Sequence, residues 1–108
     1  MAAKTDGFKD FVLDQLGDLR GVTCRAMFGG YGLYQGEVFF GIIHKSRLYF
    51  KTNERTRAAY FEHGMKPFRP NARQTLKTYY EVPAEIIEDR DQLVEWAEQG
   101  ACIPRKKL

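Results

Sequence analysis

The stretch Met27-Phe28-Gly29-Gly30-Tyr31-Gly32-Leu33-Tyr34, continued by Val38-Phe39-Phe40-Gly41-Ile42-Ile43 and Leu48-Tyr49-Phe50-Lys51, decides the fold. Aromatic and β-branched residues recur between glycines at 29, 30, 32, 36 and 41, a pattern of strands joined by tight turns, bulges and bends. Val38, Phe40 and Ile42 alternate with Phe39, Gly41 and Ile43, and both sets are apolar. Such a strand lies inside a sheet with cover on both faces. His44-Lys45-Ser46-Arg47 reverses the chain. Leu48 and Phe50 then continue one face, while Tyr49 and Lys51 point to the other.

Working outward, three strand regions follow Gly21: 22–28, 31–43 (bent or interrupted at Gly36) and 47–52. Short connections make them antiparallel neighbours. Before them, Phe8, Phe11, Val12, Leu16 and Leu19 recur at helical spacing, which predicts a helix from Asp6 to Leu19 capped by Thr5 or Asp6. After them, Asn53 is placed to cap a helix from Glu54 to His63, with Ala58, Ala59 and either Tyr60 or Phe61 as its apolar side and Gly64 as its stop. Pro67 and Pro70 mark a stiff turn or edge region. Gln74–Val82 alternates as a strand, with Leu76, Thr78, Tyr80 and Val82 on one face, and Phe68 with its neighbours is placed to pair with it as a short strand. Pro83 opens a helical turn. Asp89, with Gln92 three residues on, resembles a capping box for a last helix that Gly100 ends.

The expected architecture is α+β, two-layer, with an antiparallel sheet and flanking helices, in the order α-β-β-β-α-β-β-α. The 108 residues, 44% hydrophobic and 29% charged, suit one domain spanning 1–108. The predicted core holds Phe11, Leu16, Val38, Phe40, Ile42, Leu48, Phe50, Tyr80, Leu93 and Trp96. No apolar run reaches the roughly 20 residues of a membrane helix, and the N-terminus has no apolar signal-peptide core, so a cytoplasmic protein is expected. Cys24 and Cys102 lack metal spacing and read as ordinary thiols.

Charge is unevenly distributed. Lys45 to Tyr80 holds nine Lys or Arg against Glu54 and Glu62; Glu81 to Glu98 holds seven acids against Arg90. Arg105, Lys106 and Lys107 add a basic tail. Arg55, Arg57, Lys66, Arg69, Arg73 and Lys77 form a candidate nucleic-acid contact, with Tyr49, Tyr60, Phe68 and Tyr79 as stacking partners. The plainer reading is a solvated surface balanced by the acidic last helix. A third reading sets the basic flank of one copy against the acidic helix of another. On the sheet, Phe39, Ile43, Tyr49 and Tyr79 are expected opposite the helices. As exposed apolar groups they form a candidate protein interface for a second copy or another protein, unless a terminal helix wraps over them.

Reactive chemistry is harder to find. Gly30-Tyr31-Gly32 is followed by strand residues, which does not suit a dinucleotide or phosphate loop. His44 and His63 have no acid or thiol at metal spacing. The acids at 85, 88, 89 and 91 suit a solvated helix entry better than a hydrolytic pair. No catalytic residue, cofactor or metal is therefore expected, and an uncharacterised enzyme is the least favoured reading.

The run from Met27 to Tyr34, then Leu48-Tyr49-Phe50-Lys51, Pro67-Phe68, Tyr79-Tyr80-Glu81-Val82-Pro83 and Leu93-Val94-Glu95-Trp96, resembles the TfoX/Sxy N-terminal domain over nearly the whole chain, from Phe8 to Ala97. That family is named for regulators of bacterial competence. The resemblance implies a two-layer fold similar to that of secretion chaperones and a non-catalytic binding or regulatory role, linked to competence or transcription control through a protein partner. It supplies no catalytic residues. Full-length regulators of this type also carry a helical, DNA-binding-like second domain, and a chain ending at Leu108 is expected to be a stand-alone copy without it.

Overall fold

The hairpin signals place six strands in one antiparallel sheet, ordered β1-β2-β3-β4-β6-β5. The computed structural model describes residues 7–27 and 29–102, so the caps expected at Thr5 or Asp6 and the basic tail lie outside the described residues. In chain order the elements are α1 (Gly7–Gln15), β1 (Val22–Met27), β2 (Gly30–Gln35), β3 (Val38–His44), β4 (Arg47–Lys51), α2 (Glu54–Glu62), β5 (Pro67–Asn71), β6 (Gln74–Glu81), α3 (Ala84–Ile87) and α4 (Arg90–Ala101). The α+β class and the expected order hold. Interruption at Gly36 divides the 31–43 region into β2 and β3, joined by the two-residue turn Gly36-Glu37.

Both ends of α2 and the start of α4 follow the sequence signals, whereas α1 stops at Gln15, short of the expected Leu19. Asn53 and Thr56 form a reciprocal capping box at the start of α2. At its end the Met65 N–H donates to Tyr60 and the Gly64 N–H to Phe61, with Gly64 at φ 72°, a Schellman stop that needs the left-handed backbone glycine adopts freely. Asp89 caps α4 by accepting from the Gln92 N–H, while the Gln92 side chain donates to the same carboxylate, not to the backbone. These bonds from Gln92 hold the Asp89 carboxyl below its ordinary range. Gly100 does not end α4. It lies buried inside the last turn, where a methyl group would stand 3.1 Å from the Lys51 carbonyl oxygen; the missing side chain lets the helix seat on the sheet.

The main core lies between the helices and one sheet face. Val12, Leu16, Phe40, Leu48, Phe50 and Leu93 are fully or almost fully buried there. Four core expectations need correction, the simplest being Trp96, which is only partly buried at the margin of the main core. Phe11 is 43% exposed, because Phe8, Val12 and Leu16 set the buried stripe of α1 and Phe11 sits roughly 100° around the helix from Val12. Val38 is only half-buried at the start of its strand. Ile42 is buried, but on the opposite face from Phe40.

A β-bulge explains that last correction. Leu33 pairs with Gly41 and Tyr34 with Phe39, which leaves Phe40 as the extra residue on β3. Phe40 and Gly41 then both face the helices: a methyl group at Gly41 would meet Leu33 and Phe50. Alternation is shifted by one, so Ile43 joins the main core and Ile42 turns away from it.

Two mutations test this packing. Phe40→Ala should destabilise by about 3–5 kcal/mol through lost burial and a cavity, read as a fall in the denaturation midpoint. The Lys45-Ser46 turn between β3 and β4 holds both residues at positive φ, 51° and 60°, without a glycine. Ser46→Gly should relieve that strain and raise stability by about 1 kcal/mol in the same assay.

Candidate nucleic-acid interface

The second sheet face builds a small core of its own. Ile42, Tyr49, Phe68 and Tyr79 are buried together, with Phe39 and Leu76 packed at the margin. The Phe68 ring lies 4.7 Å from Tyr49 and 5.2 Å from His44, centroid to centroid. Yet β5 is three strands from β3, about 14 Å in a flat sheet. Register shifts between β5 and β6 supply the bend: Pro67 pairs with Tyr80 but Phe68 with Leu76. The β5–β6 hairpin thus curls over the face that the helices leave open. The same irregularity puts Leu76 with Tyr79, where simple alternation sets them on opposite faces.

This arrangement corrects the expected apolar interface. Ile43 lies in the helix-side core, 1% exposed, because of the bulge at Phe40. Tyr49 and Tyr79 are covered within the second core, and Phe39 is half-buried against Tyr34 and Tyr79. The cover is a hairpin and not a terminal helix.

The six basic candidates divide. Arg57 is half-buried; its Nε donates to Thr52 Oγ1 at 3.1 Å, and its guanidinium lies over the Tyr80 ring. Arg55 is exposed on the first turn of α2. Lys66, Arg69, Arg73 and Lys77 are all exposed on the β5–β6 hairpin or at its base. The hairpin tip is braced twice. Asn71 Oδ1 accepts from the Arg73 N–H, and Arg69 Nη2 donates to the Ala72 carbonyl. The sequence placed Asn71 and Ala72 in a stiff turn but not their bracing bonds, for which the Asn two residues before Arg73 was the available signal. The acid nearest the hairpin base, Glu81, is held by Arg47, whose Nη1 is 3.1 Å from both carboxylate oxygens.

The aromatic partners expected for base stacking are absent from the surface. Tyr49, Tyr60, Phe68 and Tyr79 are each no more than 9% exposed. Burial pushes the Tyr60 and Tyr49 hydroxyls up, and Tyr79 to about 12, with Tyr34 adding to the Tyr79 shift. Among the described residues, no group of three or more His, Cys, Asp or Glu is placed to hold a metal, and both cysteines are free thiols. Among the described residues, no helix is long and apolar enough to cross a membrane.

The family model of the TfoX N-terminal domain matches residues 14–102, from the end of α1 through every strand to the end of α4. The chain belongs to the TfoX N-terminal domain family. This is a regulatory family connected with competence, and the match takes in both sheet faces and the basic hairpin of the TfoX-type domain. None of the curated proteins compared matches the chain.

Tyr79 gives this region a pH signature. Its hydroxyl ionises near pH 10 in the unfolded chain but near 12 in the fold, so above pH 10 the unfolded state binds fewer protons and stability falls as pH rises. Denaturation midpoints measured from pH 8 to 11.5 should therefore fall along an alkaline limb. Tyr79→Phe should make that limb shallower.

Proposed function

We propose that this TfoX-type domain is a non-catalytic binding module that serves the regulation of competence or transcription in the cytoplasm by engaging a protein partner. The observation that carries this reading is the family match over residues 14–102, which spans the whole sheet and the helices packed on it. The free thiols agree with a reducing compartment. A second reading, direct contact with nucleic acid, is favoured by the grouping of Lys66, Arg69, Arg73 and Lys77 on one hairpin.

Affinity capture from native lysate with the tagged, folded chain tests the partner reading. One arm is treated with nuclease. A defined protein retained at fixed stoichiometry in both arms is the expected result. Capture in neither arm, or capture lost on nuclease treatment, overturns it.

A further inference from the structure

We propose that the β5–β6 hairpin is an arm that grips the phosphate backbone of duplex nucleic acid through Lys66, Arg69, Arg73 and Lys77. This is independent of the protein-partner reading and deepens the second, nucleic-acid reading, on which it rests.

Charge and its lack of internal use come first. No acid occurs between Glu62 and Glu81, and the acid at the base is held by Arg47. Lys9, Arg47 and Arg90 form ion pairs within the fold, but among the described residues none of the four arm cations does. Lys66 lies beside Glu81, whose N–H donates to its carbonyl, but Arg69, Arg73 and Lys77 face no acid across the hairpin, so cross-strand pairing does not account for them. An anion from outside would.

The arm also restricts what that anion can be. Pro67 and Pro70 remove two N–H donors from β5, an edge strand. That edge is therefore a poor template for an added peptide strand, and recognition falls to the side chains. The aromatics beneath are buried, so successive bases of a single strand find no stacking platform. What remains is a repeating backbone charge on a rigid support. Arg73 in the turn and Lys77 on β6 are four residues apart, at most about 14 Å along the chain, which lets them meet separate phosphates. A two-stranded ribbon also has the width that the major groove admits. The arm is preformed: Phe68 anchors it in the second core, and Arg69 and Asn71 brace its tip while the remaining Arg69 donors stay available.

Fluorescence anisotropy with a labelled short DNA duplex, the same sequence as a single strand, and labelled polyglutamate tests the proposal. The duplex should bind at about 50 mM salt, with log K falling against log[salt] at a slope of about −3.6 for four phosphate contacts. Arg73→Ala and Lys77→Ala should each reduce that slope by about 1 and leave the thermal midpoint unchanged, since among the described residues neither side chain makes a hydrogen bond or ion pair. Arg55→Ala, off the arm, should change neither. The proposal fails if the duplex does not bind at low salt, or if the arm variants bind like wild type. It fails equally if the single strand binds more tightly than the duplex. Polyglutamate binding as tightly as the duplex would mean that the arm takes acidic protein instead, which also overturns it.

Discussion

A central strand that is apolar on both sides must be covered on both sides, and the four helices cover one. The rest of the structure follows from how the other side is closed. A third layer would need more chain than one small domain offers. The sheet instead closes on itself: two register shifts bend the β5–β6 hairpin until Phe68 reaches Tyr49 and His44. The fold keeps two layers of secondary structure and still holds two cores. The second consists chiefly of four buried side chains, Ile42, Tyr49, Phe68 and Tyr79, so each of them carries a large share of its stability.

Where a residue's signal was local, the sequence was readable. Asn53 at the start of α2, Gly64 after it, Asp89 before Gln92, and the turn at Gly36 each depend on groups a few residues apart, and each stands where the pattern put it. What alternation could not reveal was the added residue at Phe40. A bulge depends on how one strand meets its neighbour, and a run apolar on both faces gives no contrast by which a shift of one shows. The exchange of Ile42 and Ile43 between faces comes from that single residue. Phe11 failed differently. The stripe on α1 is set by which residues its packing against α4 selects, and Phe8, Val12 and Leu16 satisfy it without Phe11.

The candidate site was half legible. The block of cations without acids is plain in the sequence, but its separation from Arg57 is tertiary. Arg57 is drawn against Thr52 and Tyr80 by the docking of α2 on β6, whereas the hairpin cations project from an element that leaves the main layer. The aromatics between those cations looked like partners for them. Tyr49, Phe68 and Tyr79 are instead the hydrophobic support beneath the hairpin, and Tyr60, on α2, belongs to the helix-side core.

The two edges of the sheet are unlike. At one end β5 carries two prolines; at the other, β1 has none among its six residues. Strand addition between folded chains is therefore confined to β1. Two copies that met by that edge would leave only their proline-bearing edges outermost, and the joined sheet would have nowhere to grow. Edge-to-edge association through β1 would end at a closed pair, so Pro67 and Pro70, by altering one strand, work against open-ended fibre growth.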